Sequence, residues 1–295
     1  MTGGGGRADV GDDPLSRPGR KLGPIADGVS PAHRAWLEPV RARYFAGGLT
    51  VSELARKAGW SKSKVSELLR GVGLYPSWEL TYGVLHVLGV PAWPMLRLWR
   101  AAAFEAHKKP QWVNGCVDRV VITAGSHLPP VDHRAFAEIN RGAYTSYAQV
   151  FLGVADCGRT VDEVFDVLWL CWEEALSSAN VQKFAWRVLR RSVMARAAHI
   201  DGHPQLGPAA FNTVALQQAP PGRKFAQIEE SLALFRAIGR LPGFQLDVIV
   251  FRYLRGLAPH QVADVLGVPH ASIRSAERHA KRSLTAIFHP GVNHS

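Results

Sequence analysis

The sequence predicts an all-α protein: an N-terminal five-helix domain with a helix-turn-helix over 31–109, a central helical domain over 135–200, and a C-terminal four-helix domain with a second helix-turn-helix over 225–289. Three observations carry this. Apolar residues recur at three- and four-residue intervals in each block, and no segment sustains the period-two alternation of a half-buried strand. Glycine and proline punctuate the intervals, at Gly47-Gly48, Gly59, Gly89-Val90-Pro91 and Leu241-Pro242-Gly243. Two helix–glycine–helix patterns, Leu49–Leu69 and Leu257–Leu284, lie near opposite ends of the chain. Flexible linkers are expected at 110–134 and 201–224, and a disordered tail at 1–30.

The first helix is expected to start at Ser30-Pro31, a cap and first-turn pair, with Trp36, Leu37, Val40, Tyr44 and Phe45 recurring at helical spacing. Helices at about 50–57, 61–69, 77–88 and 92–107 complete the block. Thr50 and Glu53 form a capping box, Leu54 and Ala55 face inward, and Gly59 makes the tight turn. Trp60, Val65, Leu68 and Leu69 then anchor a helix that leaves Ser61, Lys62, Ser63, Lys64, Ser66 and Glu67 partly outward. Residues at the start of such a helix reach base edges in the major groove, and lysines and serines hold phosphates. This stretch, with Pro76-Ser77-Trp78 and Leu88-Gly89 after it, resembles the Cro/repressor-type (xenobiotic-response-element) helix-turn-helix family over residues 33–90. The resemblance implies DNA binding by the second helix, with Lys62, Ser63, Ser66 and Arg70 as the contacts. The alternative is a bundle that binds protein instead.

The linker 110–134 carries Pro110, Asn114-Gly115, Gly125 and Pro129-Pro130, with a short strand or helix open at Val117–Ile122. In the central block Val161, Val164, Phe165, Leu168, Cys171 and Trp172 form one apolar helical face. The opposite face is acidic: Asp162, Glu163, Asp166, Glu173 and Glu174. The sign then reverses, with Lys183, Arg187, Arg190, Arg191 and Arg196 in a stretch without acid from Ala175 to Ile200. Such a pair suits a module that meets protein on one side and phosphate on the other, or two amphipathic helices with solvated charged faces.

In the last block, Leu246, Val248, Ile249, Phe251, Tyr253 and Leu254 make an apolar helix closed by Gly256. Ala258–Leu266 is the first motif helix, Gly267 the turn, and Pro269 opens a long helix with Ile273, Ala276, Ala280, Leu284 and Ile287 inward. Residues 229–288 resemble the C-terminal promoter-binding region of bacterial sigma factors, nearest the small extracytoplasmic-function group. The signs are Leu-Pro, Val-Ile-Val, Arg-Tyr-Leu, Gly-Leu, Val-Ala, Leu-Gly-Val and Ile-Arg-Ser in that order. The resemblance implies Ser272, Arg274, Ser275, Arg278 and Lys281 as DNA contacts. The chain departs from that family at Gly243-Phe244, where charge is usual, and at Ala258-Pro259, which lacks a Ser or Thr cap.

The central block resembles the central region of the same factors. Tyr144–Phe151 fits its first helix, Thr160–Trp172 the helix that binds the polymerase clamp, and Phe184–Arg191 the start of the helix that melts promoter DNA. This implies polymerase binding by Asp162, Glu163 and Asp166, and DNA binding by Arg187, Arg190 and Arg191. Phe165 stands where the family has glutamine and Leu170 where it has a basic residue. Trp169, Trp172 and Trp186 are read as core, with base stacking open for Trp186.

With 35 Lys and Arg against 24 Asp and Glu, the formal charge of +11 favours a polyanionic partner. Cys116, Cys157 and Cys171 make no C-x-x-C pair, and Met1–Gly28 holds no apolar stretch of a secretory signal. A cytoplasmic protein is expected, with no membrane span. His199 and His203 are four apart, but Gly202 and Pro204 oppose a helix there, so no metal is expected. No phosphate-binding Gly-Lys-Ser/Thr loop or G-x-S-x-G elbow is present, and neither enzyme activity nor a cofactor is expected. The expected function is a sigma-like transcription factor that directs or modulates promoter recognition. Its expected partners are double-stranded promoter DNA and RNA polymerase core, with a regulatory protein partner left open. The alternatives are a sigma-shaped regulator that does not engage polymerase, and a protein-interaction scaffold.

Overall fold

The computed structural model describes residues 22–122, 127–207 and 224–288, with side chains from Ser231 onward in the last segment. Residues 1–21 of the expected tail and 208–223 of the expected second linker lie outside the described residues. Helices dominate, and the one sheet among the described residues is a hairpin of His199–Ile200 and His203–Pro204.

The N-terminal unit holds α1 (Pro31–Ala46), α2 (Val51–Ala58), α3 (Lys62–Arg70), α4 (Trp78–Leu88), α5 (Ala92–Glu105) and α6 (Pro110–Asp118). Local chemistry sets the starts. The hydroxyls of Ser30, Thr50, Ser61 and Ser77 each accept from the backbone amide three residues on, satisfying an otherwise orphan donor. Glu53 returns the bond to the Thr50 amide at 2.8 Å, completing the capping box. Trp36, Trp78 and Trp99 are fully buried at the centre.

Helix α6 corrects the expected linker. Val113 and Cys116 are buried in the N-terminal core, and Trp112 stacks on Trp99 with centroids 5.8 Å apart. Its nine residues are too few to display periodicity, and Asn114-Gly115 disguises them as a turn. Residues 22–30 also differ from the expected tail. Leu22 and Ile25 pack on the core, and the Ala26 amide donates to the Arg70 carbonyl at 2.9 Å.

The central block comprises α7 (Val131–Phe151), α8 (Val154–Leu170), α9 (Trp172–Ser177) and α10 (Val181–Met194). The C-terminal block comprises α11 (Lys224–Gly239), α12 (Gly243–Ile249), a π-helical turn over Val250–Leu254, α13 (Pro259–Leu266) and α14 (His270–Phe288). Ala258 caps α13 without a hydroxyl because Gln261 Oε1 accepts from the Ala258 amide at 2.8 Å. One apolar core joins the two blocks: Tyr147 from α7, Val161 and Leu168 from α8 and Trp186 from α10 share it with Leu246, Phe251, Val262 and Ile273. Leu206 is buried in the same core, and the Gly207 amide donates to Val150 O at 2.7 Å, so the start of the expected second linker is packed.

Candidate nucleic-acid interface

The helix-turn-helix turns at Gly59 and Gly267 adopt left-handed backbone, with φ of 73° and 63°. In the N-terminal motif Lys62 and Ser63 are exposed, Ser66 is half-buried and Arg70 is exposed with its side chain alongside Gly23. Glu67 draws in its neighbours: Lys64 Nζ lies 3.1 Å from it, and the Ser63 hydroxyl donates to it at 3.4 Å. Among the described residues Lys62 and Arg70 of this helix have no ion pair, while Lys64 is paired with Glu67.

In the C-terminal motif Ile273, Ala276 and Ala280 are buried at helical spacing. That face fixes the rotation of α14 and turns Arg274, Arg278 and Arg282 outward, each exposed and without an ion pair among the described residues. Ser272 and Ser275 are half-buried. Lys281 is exposed but paired within the chain. Its ammonium sits 3.4 Å from Glu277 and 5.1 Å from the centre of the Tyr253 ring. Bonding to Tyr253 and Glu277 raises its pKa above the usual lysine range. Glu277, which also lies 3.5 Å from Arg252, was not legible as a functional residue from spacing alone.

The basic helix α10 divides its charges. Arg187 is exposed over the Phe184 ring at 5.7 Å. Arg190 turns inward instead. Its Nε donates to both oxygens of Asp247, at 3.0 and 2.8 Å. The same carboxylate, 2% exposed, accepts from Tyr147 at 2.7 Å and from Trp186 at 3.3 Å. Burial pushes the Asp247 pKa up, and the Arg190 charge and these donors oppose it. The end of the Arg190 side chain passes close to Gly243, where a Cβ would lie 2.5 Å from Nη2. Arg191 is also spent, on Glu38 of α1 at 2.6 Å. Trp186 is core, 5% exposed.

The acidic face of α8 is occupied from within the chain. Asp162 is exposed and accepts from Arg141 at 2.5 Å. Glu163 is buried and paired with Arg196, and burial raises its pKa. Asp166 is gripped by Arg97 of α5, whose Nε lies 2.8 and 2.9 Å from the two carboxylate oxygens. The Arg97 guanidinium also stands over the Trp169 ring at 5.0 Å. The two departures from the sigma pattern on this helix are both buried. Phe165 stacks on Tyr144 with centroids 5.7 Å apart, and Leu170 belongs to the N-terminal core. Glu163 and Asp166 are therefore not presented as the outward acidic surface that was expected.

Among the described residues no group of three or more His, Cys, Asp or Glu is placed to hold a metal ion, and no helix is long and apolar enough to cross a membrane. Cys116 and Cys157 are buried thiols, and Cys171 is half-buried with its pKa pushed up to about 12 by burial. No family model matches the chain, and no curated protein matches it.

Proposed function

We propose that the chain is a sequence-specific, duplex-DNA-binding transcription regulator of sigma-like shape. The observation that carries the reading is the outward stripe of Arg274 and Arg278 on α14, held in register by the buried Ile273, Ala276 and Ala280 after the Gly267 turn. A helix of this kind reads base edges with its N-terminal part and phosphates with its flanks. The N-terminal motif offers Lys62 and Arg70 to the same site or a neighbouring one. Arg274→Ala is expected to weaken binding to a duplex selected by the wild-type chain by roughly 10- to 100-fold, the worth of one good base contact. Equal affinity of variant and wild type for that duplex rules out α14 as the reading helix.

A second reading, promoter recognition together with RNA polymerase core, is supported by the order of α8 and α10. The covered face of α8 favours the first. Asp166, Phe165 and Leu170 are engaged within the chain, so a clamp partner would compete with Arg97 and the α5 packing. The expected outcome of a pull-down at low salt is that the wild-type chain recovers no core polymerase. Stoichiometric recovery makes the second reading the correct one.

A further inference from the structure

On α10 and α14 together, we propose that the start of α10 is a second phosphate-binding element for the duplex held by α14, with Lys183 and Arg187 as its contacts. The proposal rests on the DNA-binding reading above and adds a surface from a different block of the chain.

The turn between α13 and α14 is seated on the first turn of α10. A Cβ at Gly267 would lie 2.4 Å from the Lys183 amide nitrogen, 2.5 Å from Asn180 Oδ1 and 2.9 Å from Gln182 Cβ. Asn180 Oδ1 is itself committed to capping α10, accepting from the Lys183 amide at 2.8 Å. A backbone contact this tight leaves no room for a side chain, so the beginning of α10 is fixed beside the helix-turn-helix turn.

Lys183 and Arg187 are four residues apart, hence on one side of α10, and about 6 Å apart along its axis. Both are exposed, and neither has an ion pair among the described residues. The next cations of the helix differ. Arg190 is bound to Asp247 and Arg191 to Glu38, so the free charge of α10 is concentrated at the end that meets the turn. On the other side of that turn, Arg274 and Arg278 repeat the same four-residue spacing. Two short cationic stripes thus lie on helices that meet at one fixed point. In a helix-turn-helix complex the helix before the recognition helix crosses the DNA backbone, which brings the turn and what lies beside it to the phosphates flanking the groove. Charges there carry affinity and salt dependence without reading sequence.

The test uses the full chain, a duplex selected by the wild type, and a scrambled duplex of equal length. Affinity is measured from about 50 to about 200 mM salt, where each phosphate contact contributes roughly 0.9 to the log–log slope. Lys183→Ala with Arg187→Ala is expected to flatten the slope by about 2, to shrink the affinity lost across that range by about tenfold, and to weaken both duplexes alike. Arg159→Ala with Arg240→Ala removes the same charge from exposed residues elsewhere and is expected to leave the slope unchanged. The proposal fails if the α10 pair keeps the wild-type slope, or if the control pair flattens it equally. If the α10 pair has no effect while Arg274→Ala still weakens the selected duplex, the DNA-binding reading stands without α10. Absence of binding by the wild-type chain overturns both.

Discussion

His33, in the first turn of α1, stacks on Trp36 with centroids 4.9 Å apart. Burial, with a smaller contribution from Arg34, lowers its pKa from 6.5 to about 4. The folded state therefore holds the neutral ring, and the unfolded chain binds the proton first. Its contribution to stability is complete above about pH 6.5 and is lost as pH falls toward 4, amounting to about 2 kcal/mol at pH 5. Buried Asp247 and Glu163 and half-buried Asp166 have raised values and act with the opposite sign, so the histidine is isolated by difference. His33→Phe, which keeps the ring, is expected to lose this part of the acid sensitivity in urea unfolding between pH 7 and pH 5. An unchanged pH dependence refutes the assignment.

The same scale explains why spacing did not show which cations are paired. The sequence places Arg190, Arg191 and Lys281 on basic helices just as it does Arg187 and Arg274. Their carboxylate partners lie in other elements, except for Glu277, one turn away on α14. A helical wheel shows which way a side chain leaves the helix. It does not show what waits there.

At the scale of elements, α8 is held between two cores. Val161, Val164 and Leu168 face the core shared with the C-terminal block, while Leu170 and Val167 pack into the N-terminal one. The helix itself was legible from its periodicity, but of its acidic residues Asp162 is exposed and Glu163 is buried. The element that engages Asp166 was not legible, because α5 presents no signal beyond its own apolar pattern and one outward arginine. Leu170→Ala removes a buried side chain, 5% exposed, from the seam. It is expected to cost about 2–4 kcal/mol and to raise hydrogen exchange in α5 and α8 together. Faster exchange confined to α8 contradicts the role of Leu170 as the joint. Helix α6 was missed for a related reason: its order comes from Trp112 lying on Trp99, a contact outside its own nine residues.

Over the whole molecule, three blocks in sequence become two cores in space. The central and C-terminal blocks share one, with the Asp247 carboxylate bridging α7, α10 and α12 through Tyr147, Trp186 and Arg190. They are therefore expected to unfold as one unit. Asp247→Asn leaves Arg190 with a partly buried, unpaired charge, at a cost of about 3–5 kcal/mol. Protection in α10 and in α14 should fall together in hydrogen exchange. Loss in one block with full protection in the other shows that the shared core does not couple them.

The sequence by itself determined the helical class, the caps at Ser30 and Thr50, the glycine turns of both motifs and most of the inward faces of α8 and α14, Ile287 being exposed. Each follows from interactions within a few residues, where periodicity and capping chemistry are local. Only the tertiary structure decided which charges remain free. Arg190 and Asp247 are 57 residues apart, Arg97 and Asp166 are 69 apart, and Arg191 and Glu38 are 153 apart. Charge pairing acts through space between side chains that the fold brings together, and no spacing along the chain encodes that distance.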